Sequence, residues 1–132
     1  MNTLNGIITG IKSENGFSLI NLECKGQKMK SIIINHEADG SGFQVNQSVQ
    51  IMFKETEVFI GKGWDHSISL RNQLKGTIQS IVQGKILAEI NILTESGMIC
   101  SVITSDAVNS LNLKKDDKVT AMIKTNEVLL SH

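Results

Sequence analysis

The second half of this chain alternates with a period of two. Ile86, Ala88, Ile90 and Ile92 interleave with Leu87, Glu89, Asn91 and Leu93. Met98, Cys100 and Val102 interleave with Ile99, Ser101 and Ile103, and Val119, Ala121 and Ile123 with Thr120, Met122 and Lys124. Side chains on a strand point alternately to its two faces, so this pattern, rich in β-branched residues, predicts strands. Glu95-Ser96-Gly97 between two of them predicts a tight hairpin. Only Ser105–Leu111 breaks the alternation. It predicts about two turns of helix, with Ser105 as N-cap and Asp106 in the first turn, where the free amides and the dipole favour oxygen and negative charge. Lys114-Lys115-Asp116-Asp117 then reads as a turn. Five short strands and one short helix in about 60 residues fit a small closed or nearly closed barrel of the OB type.

The first half repeats the second. At a fixed offset of 70 residues, Asn2, Leu4, Gly6, Ile8 and Ile11 fall on Asn72, Leu74, Gly76, Ile78 and Ile81. Ile20, Asn21, Ser31 and Ile33 fall on Ile90, Asn91, Ser101 and Ile103. Val49, Met52, Lys54, Glu57 and Val58 fall on Val119, Met122, Lys124, Glu127 and Val128. Identities at one offset, mostly apolar and needing no gap, mark an internal duplication. The predicted architecture is all-β: two tandem OB-like barrels, each with one short helix, over residues 1–60 and 69–132, joined by a linker over 61–68. Trp64, the single tryptophan, is expected to plug the seam between the copies. A domain of about 60 residues buries only about 60% of its unfolded surface. The copies are therefore expected to lean on each other or on further chains as a homo-oligomer.

Composition narrows the function. The formal net charge is zero, which argues against a nucleic-acid partner, since such surfaces need a basic face. An OB-type nucleic-acid binder also needs stacking aromatics. Here aromatics are 4%, and Phe17, Phe43, Phe53 and Phe59 all lie in the first copy at positions that read as core. No apolar run is long enough to span a membrane, and the first ten residues carry no basic leader, so a cytoplasmic location is expected. Cys24 and Cys100 read as separate, buried thiols. His36, His66 and His132 sit in a loop-like stretch, the linker and the terminus, and no nucleophile–base pair can be assembled, so no enzyme is expected. His36, Glu37 and Asp39 lack a recognised metal-ligand spacing.

A small anion remains. Arg71 offers several fixed donors and no acceptor, and Ser69 adds a hydroxyl. Thr104 and Ser105 stand at the start of the predicted helix, where amides are free. Lys124, followed by Thr125, ends an otherwise apolar strand. This donor set complements a tetrahedral dianion. Singly, each residue also has a plain reading: Arg71 as a linker arginine, Ser105 as a helix cap, Lys124 as a solvated strand end.

The order of these elements adds a resemblance. Ser69-Leu70-Arg71-Asn72, followed by Leu74-Lys75-Gly76-Thr77, is similar to the Ser-Ala-Arg-Asn opening of Mop (TOBE-type) domains. Ala88-Glu89, Val102-Ile103-Thr104, Met122-Ile123-Lys124 and Val128-Leu129-Leu130 continue the likeness through nearly all of the second copy. The resemblance implies an OB-like module that binds molybdate or tungstate, arranged in tandem as in the di-domain molbindins. It further implies a trimer with oxyanions at module interfaces, and a role in storing, buffering or delivering the anion. By position it implies oxyanion contacts from Ser69, Leu70, Arg71, Asn72, Lys124 and Thr125, with Thr104 and Ser105 coming from a facing module. A ligand-free oligomerisation module of the same fold is the alternative.

The first copy departs from this pattern. It begins Met1-Asn2, with no serine or arginine ahead of the asparagine. Ile34 and Asn35 stand where Thr104 and Ser105 stand. Lys54 is kept but is followed by Glu55, and Glu37 would repel a dianion. The first copy is therefore expected to have lost binding capacity and to serve assembly. Grafting Ser-Ala-Arg ahead of Asn2 should raise the number of oxyanions bound per chain, and an unchanged count in a binding titration would contradict this.

Overall fold

The structure, a computed structural model, describes residues 1–34 and 42–132. Among the described residues ten strands follow the alternation: β1 (Asn2–Glu14), β2 (Phe17–Cys24), β3 (Gln27–Ile34), β4 (Ser48–Phe53), β5 (Phe59–Lys62), β6 (Asn72–Gln83), β7 (Leu87–Thr94), β8 (Gly97–Thr104), β9 (Lys118–Ile123) and β10 (Leu129–Ser131). A helix, α1 (Ser105–Leu111), follows β8, and single 3-10 turns at Glu55–Glu57 and Thr125–Glu127 precede β5 and β10. The expected hairpin at Glu95-Ser96-Gly97 joins β7 to β8. Asn15-Gly16 and Lys25-Gly26 close the first-copy hairpins with paired positive φ, the conformation that matches strand twist. The first-copy counterpart of α1, with His36, Glu37 and Asp39, lies in 35–41, outside the described residues.

The duplication extends to fine detail. The long strands β1 and β6 slip register at the same place, between Ile8 and Gly10 and between Ile78 and Ser80. Such bulges add local bend and twist, which curls each sheet toward a barrel. Beside each bulge the following turn docks in the same way. Asn46 donates to the Ile8 carbonyl at 2.8 Å, and Asp116 donates to the Ile78 carbonyl at 2.8 Å.

The sheets do not follow the repeat boundaries. One runs β10-β4-β1-β2-β3 and the other β5-β9-β6-β7-β8. Each repeat gives its last strand to the other: Phe59 of β5 pairs with Met122, and Leu129 of β10 pairs with Met52. Gly61 and Lys62, expected in the linker, therefore belong to β5. The alternation in these short strands is local and is satisfied equally on either sheet, which is why the sequence does not reveal the exchange.

Two matched sets of polar side chains bind the sheets. The Asn72 side chain donates to the Lys30 carbonyl (2.8 Å) and accepts from the Lys30 amide (2.7 Å). The Asn2 side chain donates to the Cys100 carbonyl (2.8 Å) and accepts from the Cys100 amide (2.8 Å). A carboxamide carries the same donor and acceptor as a peptide group, so each asparagine acts as a one-residue strand against the edges β3 and β8. Ser31 Oγ donates to the Val128 carbonyl (2.7 Å), and Ser101 Oγ to the Val58 carbonyl (2.8 Å). Behind these contacts one apolar cluster runs through both repeats, including Leu4, Ile51, Phe53 and Val58 with Leu74, Ile123 and Val128.

Several expectations are corrected. Phe53 is fully buried, but Phe17 and Phe59 are about half exposed, because they fall on the outward positions of β2 and β5. Cys24 is buried, whereas Cys100 is only half-buried. Trp64, expected at the seam, borders a groove lined by both repeats; its indole donates to the Gly76 carbonyl at 3.0 Å, and Lys118 Nζ lies 4.8 Å from its ring centroid. No helix among the described residues is long and apolar enough to cross a membrane.

The exchange and the asparagine contacts predict that both repeats unfold together. Urea denaturation should show one transition by all probes. Asn72→Ala, which strands two backbone groups of Lys30, should lower stability by about 1–3 kcal/mol or more. Two separable transitions, or no loss in the variant, would contradict the coupling.

Candidate anion site

Arg71 and Lys124 stand on either side of one ladder end. Asn72 pairs with Ile123 as β6 meets β9, Arg71 immediately precedes that pair, and Lys124 immediately follows it. Ser69, Arg71 and Lys124 are exposed, Leu70 and Thr125 are half-buried, and Asn72 is fully buried. The segment leading to this end is held by Gln73, whose side chain donates to the carbonyls of Leu70 (2.8 Å) and His66 (3.3 Å). Arg71 Nη1 donates to the Ile68 carbonyl at 3.3 Å, which leaves most of the guanidinium donors facing solvent. Neither Arg71 nor Lys124 forms a salt bridge among the described residues. The end therefore offers two cations, the Ser69 hydroxyl and Thr125. The Asn72 side chain does not add to it, being committed to Lys30.

The start of α1 differs from expectation. Thr104 is the N-cap, its Oγ1 accepting from the Ala107 amide at 3.1 Å. Ser105 is the first helical residue and is 5% exposed. Its amide donates to the Ile86 carbonyl (2.8 Å) and its hydroxyl to the Gly84 carbonyl (2.7 Å), which ties the helix to the β6–β7 turn. The cap lies one residue early because β8 stays extended through Thr104, and the inward position of Ser105 supplies the tie. Thr104 keeps its hydroxyl proton free to donate outward.

A single chain sets these residues in two places. β3 packs on the turn Thr125–Glu127, and β8 packs on the turn Glu55–Glu57. Thr56 shares a groove of about 270 Å3 with Val102, Ile103, Ala107 and Leu111. The strand facing Lys124 and Thr125 thus ends at Ile34, whereas the strand that ends at Thr104 faces the first repeat. Arg71 and Lys124 thus flank the end of the β6–β9 ladder, while β8, which ends at Thr104, packs on the turn of the first repeat.

The other seam carries a carboxylate. The α-ammonium of Met1 forms an ion pair with Glu55, and that hydrogen bond holds the Glu55 carboxyl below its ordinary value. Cys100 Sγ donates to Glu89 Oε1 at 3.3 Å. Burial first, then the hydrogen bond and charge of Glu89 and the more distant charge of Glu55, push the Cys100 thiol up to about 11. Burial alone pushes Cys24 up to about 11. Neither is a thiolate at neutral pH, so neither is poised as a nucleophile. Among the described residues no three metal-ligating side chains cluster.

A third feature escaped the sequence reading. Arg71 borders a groove of about 760 Å3 shared with Trp64, Lys75 and Thr77 of the second repeat and Gln27 and Lys28 of the first. Gln73 and the paired asparagines were also not recognised as structural clamps. For the asparagines the available signal was a polar residue repeated at a position where the alternation demands an apolar one.

Replacing Glu89 with Gln removes the acceptor charge beside Cys100. The pH at which Cys100 becomes open to alkylation should fall in that variant. An unchanged alkylation profile would show that burial alone sets the thiol.

The TOBE domain family matches residues 68–130. Molybdenum-pterin-binding protein 1 of Clostridium pasteurianum is 40% identical over 65 residues, 48% of this chain and 96% of that protein. The molybdenum transport protein ModE of Azotobacter vinelandii is 22% identical over 132 residues, 98% of this chain and 49% of that protein. Among solved structures, the cytoplasmic molybdate-binding protein ModG with molybdate bound superposes with a TM-score of 0.89 at 25% identity, covering 98% of this chain and 94% of ModG.

Proposed function

Because the chain belongs to the Mop/TOBE family, as a member with two repeats, we propose that it binds molybdate through the basic end of its second repeat. The observation that carries this reading is the likeness to molybdate-bound ModG along almost the whole chain. The local chemistry supports it. Arg71 and Lys124 meet at one ladder end with no carboxylate bonded to either among the described residues. A dianion needs such donors, and they cost little to desolvate when they lie at the surface.

Tungstate, with the same charge and tetrahedral shape, is the second ligand of the same site. The finer proposal concerns assembly. Thr104 and Ser105 lie in the opposite seam from Arg71 and Lys124, so a second copy is needed to bring Thr104 to the cations. Exposed Ile86, Leu87 and Val82 beside α1 supply apolar surface for that contact. We take the assembly to be a trimer and the role to be storage, buffering or delivery of the oxyanion in the cytoplasm.

Native mass spectrometry with molybdate, and with sulfate as control, tests this. The expected spectrum is an oligomer that gains a discrete number of molybdates and no sulfates. Arg71→Ala should weaken binding at least tenfold, and Trp64 emission should change on binding because Trp64 and Arg71 line one groove. An assembly that takes up no oxyanion would leave only a shared fold.

A further inference from the structure

The two seams are built on the same frame but differ in charge, because a carboxylate joins the cations at only one of them. At the repeat offset, Met1 corresponds to Arg71, Lys54 to Lys124, and Glu55 to Thr125. Lys54 follows Phe53, which pairs with Asn2, so Met1 and Lys54 flank a ladder end just as Arg71 and Lys124 do. Two cationic groups therefore stand at each end. Only the first repeat adds a carboxylate there, and Glu55 is already bonded to the Met1 ammonium. The facing strands differ as well. Glu89 of the second repeat lies close enough to this seam to share Cys100 with Glu55, whereas its own counterpart in the first repeat is Leu19.

We propose that Glu55 is a resident anion, its carboxylate filling in the first repeat the place that the oxyanion takes in the second, so that the chain binds oxyanion at one of its two equivalent ends. This rests on the oxyanion reading and makes Glu55 one determinant of which repeat binds. The carboxylate acts in two ways. It satisfies the ammonium that would otherwise be available, and it repels a dianion at short range. A unit charge a few ångströms from a dianion at a protein surface changes affinity by a factor of ten or more. Glu89 adds to the repulsion from across the seam.

The test counts molybdate per chain by native mass spectrometry, with affinities from calorimetry, in wild type, Glu55→Gln and Glu55→Thr. Threonine is what the same turn carries at position 125, and the Glu55 side chain is 32% exposed, so the fold should tolerate both changes. Unchanged thermal unfolding checks this, and Glu55→Asp, which keeps the charge, serves as control. The expected result is an added class of sites in the Gln and Thr variants, at least tenfold tighter than any second class in wild type, and no change in Glu55→Asp. Wild type already filling both repeats overturns the proposal. So does an unchanged count in the Gln and Thr variants while wild type binds at the second repeat and Arg71→Ala abolishes that binding. Wild type binding no molybdate at all overturns the oxyanion reading, and this inference with it.

Discussion

A sheet edge is a row of amides and carbonyls without partners, and a chain folded as two five-stranded sheets has four such edges. Much of this structure answers that constraint. The short strands β5 and β10 cap the sheets by crossing between repeats, and the remaining edges β3 and β8 receive the carboxamides of Asn72 and Asn2. Polar groups that would otherwise be buried without partners become the bonds that fix one repeat against the other. The apolar cluster continues across the seam because the edges bring it there.

That arrangement also decides where chemistry can occur. Asn72 fixes the start of β6 while Arg71, one residue earlier, is left exposed. Lys124 is set beside it by the pairing of Ile123. The same frame in the first repeat presents an ammonium, a lysine and a glutamate. Small changes on a rigid common frame thus give two ends of different character, without altering the strands that hold them.

The strands, the β7–β8 hairpin and the extent of α1 were legible in the sequence because each depends on local periodicity or a local turn. What the sequence could not display was partnership over long range. β5 and β10 alternate in the same way whichever sheet receives them. Asn2 and Asn72 were visible as repeated residues, but an asparagine reads as a ligand donor or as a clamp only once the opposite strand is known. The cap moved from Ser105 to Thr104 because β8 stays extended through Thr104 and the Ser105 hydroxyl is bonded to the Gly84 carbonyl. Phe17 and Phe59 read as core by residue type, yet the phase of their strands turns them outward. Residue identity offered Ser69, Arg71, Lys124 and Thr104 as candidate donors. Their division between two seams follows only from the topology.

The exchange of terminal strands has a consequence for how such a chain could arise and diversify. In a polypeptide of one repeat, a closing strand exchanged in this way would come from another molecule, and the pairing would depend on concentration. Joining two repeats makes that borrowing intramolecular, at an effective concentration set by the short connection from β5 to β6. The pairing then survives dilution, and it no longer requires the two halves to be identical. A fused pair can keep one half as a receptor and let the other drift, a freedom closed to an assembly of identical single repeats.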